Sequence, residues 1–415
     1  MRAHGSLRVL VPWVLAVGTA TPHPTSAQVR PGIEVLLADS SHLVAGKRVA
    51  LLTNQTGVDR NGRRDVDLLR ADPALRLTLL FSPEHGFRGV EDRPDLPNGV
   101  DSGTGLPIYS LSGGTQASRF AEWDSFDVVL VDLQDVGARY YTYVSTAVIL
   151  MEQAARRGKP VIVLDRPDPL GGDAVQGNVR AVPAREATFV GFLPVPMRPG
   201  MTLGELMRLA NDALGIGARL EVVPAAGWRR DMYFDATGLP WVRPSPALPE
   251  LESALHYPGT CLFEGTNLSV GRGTPIAFQL IGAPWLDAAA LLRRLREAGS
   301  GMREAFAGVE LTADTITPHA PSDGKYDGVR LNAIRLRVTD RARYDPTRTA
   351  VALLAALRAV HRDSLVLVPE RFDRLAAGPA LRRAIVAGAA PVAIWRSWNA
   401  TLARFRRARL KYLLY

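Results

Sequence analysis

The chain has 415 residues, of which 22% are charged and 47% are hydrophobic. This balance excludes a disordered or fibrous protein and is typical of a globular one. One hydrophobic core rarely supports such a length, so we expect two domains. There are 50 Lys and Arg residues against 41 Asp and Glu residues, a net charge of +9. That excess favours an anionic partner such as nucleic acid, a membrane surface or an acidic polymer. The cations cluster only near the last predicted helix, from Arg404 to Lys411, which we interpret as a solvated surface.

Residues 1–27 are typical of a targeting sequence rather than of a folded element. Two arginines precede an apolar run, Val9 to Ala20, and small residues suit cleavage before Gln28. The run is too short to span a bilayer, and no later stretch is apolar for long enough. We therefore expect an exported protein, periplasmic or extracellular, with no membrane span. Cys261 is the only cysteine; it cannot form an intrachain disulfide, and we interpret it as a buried apolar residue.

Four continuous apolar runs end in polar residues, at 49–53, 77–81, 127–133 and 161–164. Continuous runs with helices between them are typical of a parallel sheet that is covered on both faces. We therefore predict an α/β fold, with a Rossmann-like, mostly parallel sheet in an N-terminal domain of residues 28–262. Parallel strands end at the same edge, so the polar motifs should converge there, where such sheets bind ligands.

Helices are predicted around this sheet at 65–70, 144–157 and 202–214. Gly158 terminates the second helix, and Thr202 with Glu205 forms a capping box for the third. Between these elements, residues 90–115 read as a polar, glycine-rich loop. Residues 237–274 are rich in proline and show little periodicity, so we predict an ordered, irregular segment that wraps the site.

From residue 263 onward the chain changes character. Residues 331–338 alternate between apolar and polar positions, as in a half-exposed strand. Regular helices are expected at 288–298, 349–362, 379–387 and 392–409. We predict a smaller α+β domain, residues 263–415, that closes the cleft.

Several common sites are excluded because their motifs are missing. The sequence has neither the G-x-G-x-x-G pattern nor the Walker-type glycine–lysine loop that binds nucleotide phosphates. It lacks H-E-x-x-H, and its histidines are widely spaced, so we expect no metal site. It also lacks the G-x-S-x-G serine elbow. Carboxylates, amides, arginines and tyrosines at the strand ends remain as the candidates for chemistry.

Glu84 is the leading catalytic candidate because it directly follows a predicted buried strand, which Pro83 terminates. A glycosidase needs one carboxyl group as proton donor and usually a second as nucleophile or base. It also needs amides, arginines and aromatic rings to bind the sugar. The alternative is that Glu84 only caps the following turn. The residues that we expect to bind substrate at these strand ends are Asn54, His85, Arg88, Gln134, Asp135, Arg139, Tyr140 and Tyr141.

We predict that Glu264, from the domain junction, is the second catalytic carboxylate, with Asn267 and Arg272 beside it. Glycines near these residues allow the backbone to approach a ligand closely. Two strand-end residues keep structural alternatives. Asp132 is interpreted as a buried acid satisfied by backbone amides, and Arg139 is equally well explained as a partner of Asp135.

Taken together, these motifs resemble the peptidoglycan exo-β-N-acetylmuramidase (NamZ-like) family. The matching stretches cover nearly the whole mature chain: LLTNQTG (51–57), FSPEHG (81–86), QDVGARYYTY (134–143), LDRPDPLGG (164–172), GLPWV (238–242), YPGTCLFEGTN (257–267), GAPW (282–285) and KYLLY (411–415). Gln279 and Ala277 depart from the family pattern, which has an acid and a proline at these positions.

The resemblance implies hydrolysis of a terminal, non-reducing N-acetylmuramic acid from peptidoglycan fragments, without a cofactor. It implies a Rossmann-like N-terminal domain, a smaller C-terminal domain and a site between them. It also implies that the glutamate of the SPEHG motif, Glu84 here, is catalytic.

The residues and the resemblance agree on an exported hydrolase whose partners are peptidoglycan-derived saccharides and not nucleic acid. Muramic acid carries a lactyl carboxylate, which we expect Arg88, Arg139 or Arg272 to bind. Two alternatives remain open: a non-catalytic peptidoglycan-binding protein that uses the same cleft, and an esterase or amidase that acts on the same polymer.

Overall fold

The computed structural model describes Met1 and residues 28–92, 96–113, 117, 120–181, 189–297 and 299–415. The predicted targeting sequence, apart from Met1, lies outside the described residues. The strands are β1 (Arg48–Thr53), β2 (Arg76–Ser82), β3 (Gly99–Val100), β4 (Pro107–Ser110), β5 (Val128–Asp132), β6 (Val161–Leu164), β7 (Gln176–Val179), β8 (Pro196–Arg198), β9 (Leu220–Val223), β10 (Leu280–Ala283), β11 (Val309–Ile316) and β12 (Leu331–Val338).

The helices are α1 (Gly32–Asp39), α2 (Asp65–Ala71), α3 (Tyr143–Ala155), α4 (Leu203–Ala213), α5 (Leu251–Thr260), α6 (Ala288–Arg296), α7 (Ser300–Glu304), α8 (Pro346–Val360), α9 (Pro369–Leu375), α10 (Ala380–Val386), α11 (Pro391–Ser397) and α12 (Asn399–Arg409). Within the described part of the chain, no helix is both long and apolar enough to cross a membrane.

A seven-stranded sheet organises the N-terminal part, in the order β3-β4-β2-β1-β5-β6-β9. Its neighbours pair in parallel except β3 and β4, which are antiparallel. The four strands that were predicted from continuous apolar runs, β2, β1, β5 and β6, are neighbours in this sheet. Their carboxyl ends therefore share one edge, as predicted, and the mostly parallel α/β fold is confirmed.

Both faces of this sheet are buried, which explains the continuous apolar runs. Along β5, Val128 and Leu130 belong to one apolar cluster and Val129 and Val131 to the other. Helices α1 and α2 contribute to the first cluster, and α3 and α4 to the second. The predicted capping box at the start of α4 is present, with Thr202 and Glu205 bonded reciprocally.

A smaller antiparallel sheet, β10-β12-β11, lies in the C-terminal part with the remaining helices. Helix α5 packs against α8. The predicted division of the chain at residues 262 and 263 stays a prediction.

Two irregular segments contain more structure than the sequence pattern indicates. Residues 237–274, predicted to lack regular elements, include helix α5, in which every residue from Ser253 to Thr260 is buried. A helix that is buried on all sides shows no amphipathic period, so its sequence gives no helical signal. The predicted loop at 90–115 likewise includes β3 and β4.

The last predicted helix is two helices, α11 and α12, separated at Trp398.

The end of the chain returns to the central sheet. The hydroxyl of Tyr415 donates to Asp165 at 2.8 Å. Arg409, only 8% exposed, donates to the main-chain carbonyls of Gly172, Pro199 and Gly200. The arginine cluster is therefore not wholly the solvated surface that its sequence suggests, because Arg409 attaches the last helix to the first part of the chain.

Candidate active site

A cleft of about 150 Å³ opens at the carboxyl end of β2. It lies between the central sheet and the segment that contains α5. Three carboxylic acids line it: Glu84, Asp92 and Glu264. The remaining lining residues are His85, Tyr140, Tyr141, Thr142, Val190, Ser245, Leu248, Tyr257, Cys261, Arg272, Phe278 and Leu375.

A tight turn presents Glu84 to this cleft. Strand β2 ends at Ser82, and the Gly86 amide donates to the Pro83 carbonyl at 3.1 Å. His85 has a φ of 70°, a left-handed conformation that is unfavourable for residues other than glycine. Its Nδ1 lies 2.8 Å from a main-chain carbonyl oxygen, that of Glu91, which holds the ring in place. The turn leaves Glu84 half-buried at the edge of the sheet.

Among the described residues, Glu84 has one hydrogen-bond partner, and that partner is neutral. The hydroxyl of Thr142 donates to its Oε2 at 2.5 Å. Thr142 immediately precedes helix α3. Among the described residues, no cationic group forms an ion pair with Glu84. A hydroxyl therefore orients this carboxyl group, and no positive charge of the described residues is paired with it.

Glu264 has a different environment. It lies in a 3-10 turn that follows α5, Cys261–Gly265, and its Oε1 accepts a bond of 2.6 Å from Arg272 Nε. The Cys261 thiol lies 3.5 Å from Oε2. Burial lowers the pKa of the Arg272 guanidinium, but the charge and hydrogen bond of Glu264 outweigh it and raise this pKa. Glu264 is thus held as one half of an ion pair.

Asp92 connects the two sides of the cleft. Its Oδ2 lies 3.4 Å from Nη1 of Arg272, and its Oδ1 lies 3.5 Å from Nδ1 of His85. Sequence reasoning missed Asp92 because it stands in the stretch that was predicted to be a polar, glycine-rich loop. It also missed Thr142, although that residue belongs to the same tyrosine-rich motif as Tyr140 and Tyr141.

Aromatic rings form one wall of the cleft. Tyr257 packs edge-on against Phe278 at a centroid distance of 4.7 Å and against Tyr140 and Tyr141 at 6.1 and 6.3 Å. The guanidinium of Arg272 lies 5.2 Å from the Phe278 ring centre. Such a wall offers apolar surface beside the charged groups.

Six of the residues predicted for the site line the cleft together: Glu84, His85, Tyr140, Tyr141, Glu264 and Arg272. The structure places the other six outside its lining: Asn54, Arg88, Gln134, Asp135, Arg139 and Asn267.

The three predicted amides act as structural connectors. Asn54, only 3% exposed, donates to the Tyr143 hydroxyl at 2.7 Å. Gln134 donates to two main-chain carbonyls at 2.8 and 2.9 Å. Asn267 donates to one main-chain carbonyl and accepts from one amide. These three side chains therefore hold neighbouring segments together. Their position in the sequence did not distinguish this role from substrate binding.

The two outlying arginines also have other partners. Arg88 is exposed and donates to the Ser102 hydroxyl at 3.0 Å. Arg139 is 6% exposed and donates to three main-chain carbonyls and the amide oxygen of Asn178. Asp135 is not among these partners, so the predicted pair between Arg139 and Asp135 is not formed.

Asp132 is paired with a cation rather than with backbone amides. Its two carboxylate oxygens accept bonds of 2.5 and 3.0 Å from Arg166, and both side chains are buried. Burial raises the pKa of Asp132, and the charge of Arg166 opposes that rise. The prediction that backbone amides satisfy this acid is wrong, since a cation from the end of β6 reaches it.

Two family models divide the chain between them. Residues 49–252 match the N-terminal part of exo-β-N-acetylmuramidase NamZ, and residues 255–415 match its C-terminal part. A peptidoglycan β-N-acetylmuramidase NamZ of Bacillus subtilis (strain 168) is 38% identical over 390 residues, which cover 94% of this chain and 92% of the relative.

Solved structures show the same fold. A DUF1343 family protein of Bacteroides fragilis NCTC 9343 superposes with a TM-score of 0.83 at 31% identity, covering 94% of this chain and 99% of its own. A second DUF1343 family protein of that organism gives a TM-score of 0.73 at 29% identity, with the same coverage. The resemblance found in the sequence motifs is confirmed: the chain belongs to the exo-β-N-acetylmuramidase NamZ family.

Proposed function

We propose that this chain is a glycoside hydrolase that releases terminal, non-reducing N-acetylmuramic acid from peptidoglycan fragments. The observation that carries the proposal is the pair of carboxyl groups, Glu84 and Glu264, that line one cleft with unlike partners. The name of the Bacillus subtilis relative, a peptidoglycan β-N-acetylmuramidase, supports the same reaction.

The unlike partners suit two different roles. Glu84 is oriented by a hydroxyl and has no cation beside it among the described residues, so it acts as the general acid that protonates the leaving oxygen. Glu264 is ion-paired with Arg272 and acts as the carboxylate that attacks the sugar, activates water or stabilises the positive charge of the transition state.

Arg272 is the cation that we assign to the substrate carboxylate. Of the three arginines predicted for this role, it alone lines the cleft. Its Nε and Nη1 are engaged by Glu264, Asp92 and Ser322, and within the described residues no hydrogen bond involves Nη2. A lactyl carboxylate placed against this remaining edge would receive a charge-assisted hydrogen bond.

The test is hydrolysis of a chromogenic β-glycoside of N-acetylmuramic acid by the wild type and by Glu84→Gln, with thermal unfolding of both proteins as the folding control. Release by the wild type alone supports the glycosidase. Binding of peptidoglycan fragments without release by either protein favours the non-catalytic binder. Mass analysis of products from natural fragments separates glycosidic cleavage from the loss of an ester or amide group.

Export is part of the proposal. The charged, then apolar, then small-residue pattern of residues 1–27 supports a cleaved leader, with the mature protein acting in the periplasm or outside the cell. Mass spectrometry of the protein recovered from these fractions tests it, since a mature chain should begin at Gln28. A chain that retains residues 1–27 in the cytoplasmic fraction contradicts it.

A further inference from the structure

A second, much smaller cavity lies beside the cleft. It measures about 10 Å³ and is bordered by Asp135, Arg139, Tyr141 and Ser145, with apolar residues completing its walls. Tyr141 also borders the cleft. The side chain of this tyrosine is therefore part of the partition between the two spaces.

Three buried polar atoms around this cavity have no hydrogen-bond partner in the described part of the chain. They are Asp135 Oδ1, Arg139 Nε and the Tyr141 hydroxyl oxygen, and their residues are 4%, 6% and 6% exposed. The adjacent Tyr143 hydroxyl donates its proton to the Pro244 carbonyl and therefore cannot donate to Tyr141. A buried polar group left unpaired is costly, so such atoms normally have partners.

The size and chemistry of the cavity suit one water molecule. A space of roughly 10 to 15 Å³ holds a single water, provided that two to four polar groups surround it. Arg139 Nε and the Tyr141 hydroxyl are donors, and Asp135 Oδ1 is an acceptor. Ser145 Oγ donates to a main-chain carbonyl at 2.7 Å and keeps lone pairs free to accept. Two donors and two acceptors match the four hydrogen bonds of a water molecule.

We propose that one internal water occupies this cavity and that, through it, Asp135 is a positioning residue for Tyr141 in the cleft wall. The water accepts from Arg139 and Tyr141 and donates to Asp135 and Ser145. It joins Asp135 and Arg139 through water-mediated hydrogen bonds, which supply a polar partner to the Nε of a buried guanidinium that has no direct carboxylate partner among the described residues.

The consequence for the cleft is a fixed tyrosine ring. Tyr141 packs edge-on against Tyr257 at 6.3 Å, so a change in its orientation propagates to the aromatic wall. This consequence rests on the proposed function, because a change in the aromatic wall is detected through hydrolysis of the muramic acid glycoside. Asp135→Asn keeps the shape of the side chain but turns an acceptor toward the cavity into a donor, so the water then meets three donors with two lone pairs.

A double-mutant cycle tests the positioning role. Asp135→Asn and Tyr141→Phe should each raise KM about tenfold, with a smaller effect on kcat, and the double variant should resemble either single one. The control cycle combines Tyr141→Phe with Asp101→Asn, since Asp101 is also buried, does not border the cavity and is bonded to Arg64 and Thr104 instead. There the two effects should multiply. Multiplying effects in the Asp135 cycle overturn the positioning role.

A crystal structure of the wild type tests the water directly. Density for one water between Asp135, Arg139 and Tyr141 is expected, and an empty cavity overturns the proposal. This measurement needs no activity and no substituted protein, so it decides the water even if Asp135→Asn does not fold. A wild type that shows the water but hydrolyses no muramic acid glycoside counts against the proposed function, and against the positioning role that rests on it, while supporting the water itself.

Discussion

The hydroxyl of Thr142 donates a hydrogen bond of 2.5 Å to Oε2 of Glu84. This bond joins the residue before helix α3 to the turn that follows strand β2, two elements that are far apart in the chain. A general acid is efficient only when its proton is aimed at the leaving oxygen. Thr142 therefore restricts the orientation of the carboxyl group on which the proposed reaction depends.

Glu84→Gln should lower kcat by about 10²- to 10⁴-fold, because the amide cannot donate the proton. The thermal midpoint should stay close to that of the wild type, since Glu84 is half-buried and forms no ion pair in the described chain. Thr142→Val, which keeps the side-chain shape, should lower kcat less and leave KM unchanged. Hydrolysis of the chromogenic glycoside measures both, and an unchanged kcat in Glu84→Gln would falsify the assignment of the acid.

Arg272→Ala should lower the preference for a muramic acid glycoside over the matching N-acetylglucosamine glycoside by about tenfold or more, because one charge-assisted bond to the lactyl carboxylate is lost. Taking the ratio of kcat/KM for the two substrates cancels the separate effect on Glu264. Arg88→Ala is the matched control, since Arg88 is exposed and outside the cleft lining. Equal ratios in all three proteins would rule out this role for Arg272.

Arg166→Met should cost about 3 to 5 kcal/mol of unfolding free energy, because it leaves Asp132 buried without its cation. Arg229→Met removes an exposed pair with Asp231, whose side chains are 67% and 62% exposed, and should change stability by less than about 0.5 kcal/mol. Urea unfolding of the two variants measures the difference. Similar small losses in both would contradict the importance of the buried pair.

Asp168 should make stability depend on pH. Burial raises its pKa to about 7 in the folded protein, against about 3.9 in an unfolded chain. The folded state therefore binds the proton more tightly. The resulting stabilisation is complete below about pH 4 and is lost as the pH rises through about 7. Urea unfolding between these pH values should show a falling free energy, with a shallower fall in Asp168→Asn.

The control for this pH dependence is Asp363→Asn, since Asp363 is exposed and its removal should leave the slope unchanged. Asp165 and Asp135 also make stability fall as the pH rises, because burial raises their pKa values to about 6 and about 8. A slope in Asp168→Asn identical to that of the wild type would show that this carboxyl group titrates normally.

Tyr415→Phe should lower the unfolding free energy by about 1 to 3 kcal/mol. It removes a hydroxyl that donates to the buried Asp165 and accepts from the Ala225 amide, both at 2.8 Å. Tyr412→Phe is the matched control three residues earlier, because its partner Asp212 is 57% exposed. Thermal unfolding compares them, and a larger loss in Tyr412→Phe would contradict the anchoring role of the last residue.

Much of the fold is readable from the sequence because its central strands are continuous apolar runs. Val128 to Asp132, buried on both faces, carries no polar residue until its end, and a parallel sheet is the arrangement that needs such a strand. Helix α5 is the opposite case. Its burial is complete from Ser253 to Thr260, so its sequence lacks the period that marks a surface helix.

Only half of the predicted site residues line the cleft, and the reason is similar. Polar residues at strand ends look alike in sequence, whether they face a ligand or bond to a neighbouring loop. Gln134 and Asn54 are bound by groups from distant segments, and Asp92 reaches the cleft from a stretch with no pattern of its own.

The sequence by itself determined the α/β class, the family and the position of Glu84, because these depend on local patterns and on contiguous motifs. Only the tertiary structure decided which arginine reaches the cleft. Arg88, Arg139 and Arg272 are chemically identical, and their roles follow from burial and partners contributed by segments up to 236 residues away, as in the bond from Arg139 to the Leu375 carbonyl. Such long-range contacts leave no trace in the local pattern of the chain.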